Sequence, residues 1–494
     1  MGRILRVGLM VLLVAAAGVG IARGEWKDYT PGTPEAIKWQ YSEIEAGKTC
    51  RIKPKDKATI SGKVTIPDQV GSIKVVEIAA FAFNDCKMTE VDIPNGVTTI
   101  GIGAFSGCNK LTAVKIPNGV TKIEVSVFSK CSSLTEITIP SSMATIEPGA
   151  FLGCSGLKNF KVDESNASYC AVAGVLFTKT KDKLICCPKG MEGEYVIPDG
   201  VTMIGWYAFA DCKKLSAVTI PSSVKTIMGY AFIGCSELTE VPIPSSVKTI
   251  GKFAFDGCED LTEVKIPGGV TNIEQSAFAK CSKLNKVYWF ADASCNVGDD
   301  AFAEIASPAT LYVRHGEMEK IKDKPWRKNK FKNIVEFYVV TFQDGEGNKL
   351  GEQLVEDGTA TAPTAPTKKG YTFAGWQLDG KKYDFSTKVT KDITLVAVWK
   401  KKEESTPNNP ETAVESVQLA EVRVVRNPVG AALELEGMER AARVEVYSVA
   451  GARVHAEALR GEPRVVIDAQ GWGSGVYVVR VEASDGAKTL RVVK

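Results

Sequence analysis

Histidine is nearly absent from this chain: His315 and His455 are the only two in 494 residues. They lie in segments of different character, so no Ser-His-Asp or Cys-His constellation can be assembled at one site. There is no HExxH, no phosphate-binding loop and no calcium loop. "GWGSGV" at 471–476 lacks the Gly-x-Ser-x-Gly spacing of a nucleophile elbow and reads as a turn. Charge of one sign is also lacking. The 61 basic and 58 acidic residues leave a net charge of +3, which gives no bias toward polyanions. The densest basic stretch, Lys320 to Lys332, is interleaved with Glu319, Ile321, Asp323, Trp326 and Phe331 and reads as a solvated face. Nucleic acid is therefore not an expected partner. Beyond the first residues no apolar run is long enough for a spanning helix.

That first run, "MGRILRVGLMVLLVAAAGVGIARGEW", has two arginines, an apolar stretch and the small residues Ala22 and Gly24. It predicts a secretory signal peptide over residues 1–24, cleaved after Gly24.

What the chain has in abundance is repetition. Ile-Pro pairs begin at Ile66, Ile93, Ile116, Ile139, Ile197, Ile220, Ile243 and Ile266, with a step of 23 residues inside the two unbroken runs. Phe follows twelve positions after most of them (Phe105, Phe128, Phe151, Phe209, Phe232, Phe255, Phe278), and Cys three positions later. Such a period predicts a solenoid whose units bury their apolar sides only by stacking. Leu-Thr-Ala-Val-Lys-Ile at 111–116 alternates like one short strand, and stacked copies predict a parallel sheet. Leu111, Val114, Ile116, Val120, Ile123 and Phe128 are expected inside, with Thr112, Ala113 and Lys115 facing out.

Two departures stand out. An excess of 35 residues separates Ile139 from Ile197, and its "YCAVAGVLFTKTKDKLICCPKG" alternates like a hairpin through Val175, Leu176 and Phe177, then Leu184 and Ile185. Pro242 sits inside the expected strand of its repeat, removes a ladder donor and predicts a local fault in the sheet.

The chain contains 13 cysteines. Cys86, Cys108, Cys131, Cys154, Cys212, Cys235, Cys258 and Cys281 recur once per coil, where parallel Cβ vectors oppose pairing, so they are expected as small buried side chains. They lack the paired spacing and histidine partners of a zinc site, and neither metal nor cofactor is expected. Cys170, Cys186 and Cys187 lie in the excursion and have the option of bridging it. Cys50 and Cys295 belong to opposite ends.

The motif Leu-x-x-Val-x-Ile-Pro-x-x-Val-x-x-Ile-x-x-x-Ala-Phe-x-x-Cys resembles the leucine-rich repeat of the BspA type, over residues 63–312 with an insertion at about 155–196. Residues 25–62 are expected to cap the solenoid at its start and 313–337 at its end. "YVVTFQDGEGNKLGEQ…LVAVWK" (338–400), marked by Gly370-Tyr371-Thr372-Phe373-x-Gly375-Trp376 and Leu395-x-Ala397-Val398-Trp399, resembles the Listeria-Bacteroides repeat of internalin-like proteins, which implies a small β-grasp domain. Residues 401–416 are polar and aperiodic, a linker.

Residues 417–494 alternate as short strands between Gly-rich turns, predicting a β-sandwich. The order Asn427-Pro428, Val446-Tyr447, Gly451, Gly475-Val476-Tyr477-Val478 and Lys494 resembles the sorting domain of type IX secretion substrates. That resemblance implies a route across the outer membrane known in the Bacteroidota, handling by the type IX machinery, removal of the domain and attachment of the remainder to a surface glycolipid. The fold class expected is mainly β: a leucine-rich-repeat solenoid with parallel strands, then a β-grasp domain, then a β-sandwich.

The outward strand face carries mostly small and charged residues. Lys115, Glu136, Lys161, Glu240, Glu263 and Lys265 form a spread-out column, and Tyr288 near the last coil is its one residue of the kind that dominates binding hot spots. About nine coils at ~4.8 Å each predict a rigid face of about 45 Å, suited to many weak contacts. The carboxylates do not converge as a glycoside hydrolase requires, so no catalytic residue and no enzymatic activity are expected. The BspA-type resemblance implies adhesion: binding of matrix proteins such as fibronectin or fibrinogen, coaggregation of bacteria, and contact with epithelial cells. The alternative is a structural spacer of the surface layer that recognises nothing.

Overall fold

The computed structural model describes residues 25–31, 37–327, 330–401, 423–426, 432–436, 443–448, 453–459, 464–468, 476–483 and 486–493. The expected signal peptide, linker residues 402–416, Asn427-Pro428, Gly451, Gly475 and Lys494 lie outside them. The chain divides into two compact units, one ending at Lys400 and one beginning at Lys401.

In the first unit each 23-residue repeat makes one coil. Apolar residues spaced along it turn inward, and Leu111, Val114, Ile116, Val120, Ile123 and Phe128 are all buried, while Thr112, Ala113 and Lys115 are exposed. Each coil stacks its phenylalanine on the next. Phe83, Phe105, Phe128 and Phe151 stand 5.3, 5.7 and 5.9 Å apart, with ring planes within 5° of parallel. Phe209, Phe232, Phe255, Phe278 and Phe302 repeat the arrangement at 4.7 to 5.4 Å. Both outer ends are closed by tryptophan. Trp39 meets Phe83 edge-on at 6.0 Å, and Trp326 lies 5.9 Å from Phe302.

The coil has two strands where alternation predicts one. The second is only two residues long, as in Thr99–Ile100, Lys122–Ile123 and Thr145–Ile146, which pair in parallel on the return side. Met203–Ile204, Thr226–Ile227, Thr249–Ile250, Asn272–Ile273 and Asn296–Val297 continue the pattern. The expected strand at 111–116 shortens to Ala113–Val114, extended by a bridge from Lys115 to Thr138.

The excursion is built into the stack. Tyr169–Val172, Val175–Thr178 and Lys183–Cys186 form an antiparallel meander, and the last of them pairs in parallel with Met203–Ile204. Its faces divide the interior. Leu176 joins the apolar core of the preceding coils, whereas Val175, Phe177 and Leu184 join that of the following ones. On the strand side the sheet breaks here, between Asn159–Val162 and Glu192–Val196. It breaks again at Pro242, as the missing N–H predicts: that repeat keeps a single bridge, Ala217 to Glu240, before Glu263–Ile266 resumes. A third gap lies at the single bridge from Lys115 to Thr138, so the continuous face of about 45 Å is interrupted three times.

Thr310–Arg314, the short helix α1 (Met318–Ile321) and Trp326 close the last coil. Residue 337, expected to end that cap, lies inside one strand, Asn333–Gln343. Its first half pairs in parallel with Thr310–Arg314, and its second half pairs with Lys349–Val355 and with Ile393–Lys401. A single backbone segment therefore joins solenoid and following sheet, which is completed by Tyr371–Leu378 and Lys381–Lys382 around Trp376, Phe342 and Leu395.

In the second unit two antiparallel sheets enclose one core. Leu433, Leu435, Val465 and Ile467 come from the first sheet, and Val444, Val446, Tyr477, Val479 and Val481 from the second. This is the expected sandwich.

Candidate functional site

The strand-face column does not converge on one place. Lys161 is ion-paired with Glu136 at 2.9 Å, and both remain about half exposed. The same rung pairing holds Lys63 to Asp92 at 3.1 Å and Lys214 to Glu192 at 2.6 Å. These charges neutralise one another along the stack in water, where exposed pairs contribute little to stability. Lys115 and Glu240 are exposed and stand apart, each next to a single-bridge rung.

Glu263, Lys265 and Tyr288 do come together, but not as an open hot spot. Tyr288 is half-buried, stacked on Tyr312 at 4.6 Å and edge-on to Phe337 at 6.4 Å. The Lys265 ammonium lies 5.9 Å from its ring centroid. Burial first, then the nearby Glu263, Tyr312 and Glu356, pushes the Tyr288 hydroxyl up to about 12. Leu354 of the following sheet packs against the same cluster. Tyr288 thus keeps its outward strand position but is half covered there, and its ring helps to fasten the solenoid to the following sheet.

A second aromatic group lies on the turn side of the coils and escapes a reading of the strand face. From Ile93 on, the tenth position after the isoleucine of each Ile-Pro pair has a left-handed backbone, with φ of 58° at Gly103, 60° at Ser126, 77° at Gly149 and 55° at Ser276. Three successive coils place Tyr207, Tyr230 and Phe253 there, at 57°, 59° and 56°. Such residues are strained by ~1–3 kcal/mol each. They stack at 4.8 and 5.0 Å, with half-exposed Trp206 beside them and the Lys252 ammonium 5.5 Å from the Trp206 ring. Aligning the repeats by column would have revealed the substitution of Gly and Ser by rings.

All thirteen cysteines are free, so the bridge available to Cys170, Cys186 and Cys187 is not formed. The ladder thiols are more than small fillers. Cys131 donates to Phe105 O at 3.2 Å, Cys154 to Phe128 O at 2.9 Å, Cys235 to Phe209 O at 3.0 Å and Cys281 to Phe255 O at 3.2 Å. Burial pushes Cys108 and Cys154 up to about 12, so these thiols stay protonated and unreactive near neutrality. Among the described residues no group of three His, Cys, Asp or Glu side chains is placed to hold a metal. His315 is stacked on Tyr338 at 4.7 Å, and His455 lies in the other unit beside Glu457. Buried Asn166, in the glycosylation-like triplet Asn-Ala-Ser, donates to Pro140 O and Met143 O and accepts from Ser168 and Tyr169 N–H, which gives it a structural role.

This geometry defines a capped leucine-rich-repeat solenoid carrying further β-rich modules. Family comparison specifies it: residues 76–174 and 193–308 match the BspA type leucine rich repeat region, in six copies. Residues 338–398 match the Listeria-Bacteroides repeat domain and 426–494 a secretion system C-terminal sorting domain. The chain is thus a leucine-rich-repeat protein with a secretion sorting tail. Internalin H of Listeria monocytogenes is 36% identical over 80 residues, 15% of this chain and 14% of that protein. Among solved structures, the pneumococcal vaccine antigen PcpA is 20% identical, covering 64% of this chain and 99% of its own, with a TM-score of 0.49. A leucine rich cell surface protein of Faecalibacterium prausnitzii is 24% identical, covering 62% and 99%, with a TM-score of 0.39.

Proposed function

We propose that the chain is exported by its signal peptide, delivered to the bacterial surface through its sorting domain, and attached there to a surface glycolipid once that domain is removed. Its solenoid then binds extracellular proteins or other bacterial surfaces as an adhesin. The observation that carries this reading is the pairing of a secretion sorting domain with a long capped solenoid. Exposed small and charged side chains on separate sheet segments favour many weak contacts with a large partner over one deep pocket. No catalytic role is part of the proposal.

A purely structural spacer is the second reading. It is favoured by the internal ion pairs of the strand face and by the single strand Asn333–Gln343 that ties the solenoid to the following sheet. Surface labelling and adhesion of cells making the full chain, or the chain without residues 421–494, test both steps. Display and binding to matrix proteins or partner bacteria are expected for the full chain and loss of display for the truncation. Display of the truncated chain would refute the sorting role, and display of the full chain without any binding would favour the spacer.

A further inference from the structure

We propose that a cavity on the turn side of the solenoid, walled by the buried Lys189, is a binding site for a small carboxylate group. It exists because the excursion lacks a full turn. In regular coils, backbone N–H groups on the turn side donate to the next coil, as Phe105 does to Val127 O and Gly107 to Ser129 O. The excursion offers one such rung, Cys187 N–H to Ala208 O at 2.7 Å. The Lys189 ammonium stands in for the rest, donating to Tyr207 O at 3.1 Å and Ala208 O at 3.4 Å. Over the missing turn the flanking coils meet directly, since Leu152 packs against the Tyr207 and Tyr230 group. A cavity of about 50 Å³ remains between them.

The charge inside has no counter-charge in contact with it. Lys189 is 4% exposed, and it is the one buried basic residue among those described. Its ammonium donates to neutral carbonyls, and the half-buried Asp211 carboxylate acts on it only from beyond ion-pair distance. Glu147 reaches the cavity wall but is paired with Lys122 at 2.9 Å. The Cys186 thiol, also on the wall, is held protonated by burial and supplies no charge. An ammonium taken out of water is costly without a counter-charge in contact with it, so an anion entering here gains more than it does at the surface.

The walls select the anion. One ammonium matches a single negative charge, and Glu147 opposes a dianion such as sulfate or phosphate. Ile146, Pro148, Leu152, Ile185 and the Trp206 ring offer apolar surface to a short hydrocarbon stem. The volume suits a few heavy atoms, since about 10–15 Å³ of such space already holds one water. A carboxylate on a methyl or methylene meets all three conditions. It can come from a free small acid or from the acidic side chain of a protein partner.

Saturation-transfer NMR on the full secreted chain, in chloride buffer of fixed ionic strength, tests the site with two probes: acetate and the blocked peptide N-acetyl-Gly-Glu-Gly-amide. Transfer to the acetate methyl and to the glutamate methylenes is expected, and loss of both in Lys189→Met. Ile185→Trp, which fills the cavity and leaves the ammonium in place, should lose both as well and serves alone if Lys189→Met does not fold. Transfer to acetate alone supports the site and assigns it to free acids; transfer to the peptide alone supports it and assigns it to a protein partner. No transfer to either probe, or equal transfer in a folded variant, overturns the proposal.

Discussion

The thiol of Cys131 donates to the backbone oxygen of Phe105 in the preceding coil at 3.2 Å, and that oxygen also accepts the N–H of Cys108. The column thus ties coils together through weak side-chain donors to carbonyls that already hold one bond. If the bond matters, Cys131→Ala should cost about 1–2 kcal/mol and Cys131→Ser less, because the hydroxyl keeps a donor in place. If only apolar filling matters, the order reverses, since a buried hydroxyl is penalised. Denaturant unfolding of the two variants decides. Alkylation of the native chain should leave all eight ladder thiols unlabelled until it is unfolded.

The same burial predicts alkaline instability. Cys108 and Cys154 are raised from an ordinary 9.0 to about 12, and Cys50, Cys86 and Cys295 to about 11, by removal from water. Below the unfolded value both states are protonated and the stabilisation is complete. As pH rises past 9 toward 12 the unfolded thiols ionise first, and each such thiol loses roughly 1.4 kcal/mol per pH unit. The unfolding midpoint should therefore be flat from pH 7 to 8.5 and fall steeply above 9, and a midpoint unchanged to pH 11 would contradict the buried ladder.

Much of this architecture is legible in the sequence because a solenoid repeats its instructions. The columns of Ile, Phe and Cys state the period, and period plus alternation state which side chains turn inward. The return strands are not legible, since two residues such as Thr99–Ile100 are too short to show a pattern. Nor is the cavity at Lys189, which depends on Leu152 and Tyr207 meeting across an excursion that separates them in sequence. Tyr288 reads as outward from its strand position, and what that position does not show is that Tyr312 and Phe337, from later segments, half cover it.

Pro242 offers a repair experiment. It occupies the position held by Thr138 and Thr219 in neighbouring coils, where the strands Glu136–Ile139 and Lys214–Thr219 form. Pro242→Thr returns a backbone donor and a residue suited to strands, and it should gain about 0.5–1.5 kcal/mol. Hydrogen exchange should show new protection in residues 239–243 and their neighbours. An unchanged exchange pattern would mean that the fault has another cause.

The adhesive reading stands or falls on charge at the strand face. Lys115, Lys161 and Lys265 all project into water, so reversing the three to Glu should cost little stability, roughly 1 kcal/mol or less at each. Lys161→Glu turns the pair with Glu136 into a repulsion, and Lys265→Glu takes a cation from the Tyr288 ring. If the face binds through summed weak contacts, the triple variant should adhere less and its adhesion should depend less on salt, while each single reversal changes little. Deleting residues 338–400 is a poor comparison, because it cuts the strand Asn333–Gln343 in half and bares the last coil. Leu350→Glu with Tyr371→Glu is better, since both side chains are exposed on the following sheet, at 46% and 37%. Adhesion lost in that double variant and kept in the triple one would make the solenoid a stalk and the Listeria-Bacteroides module the adhesive element.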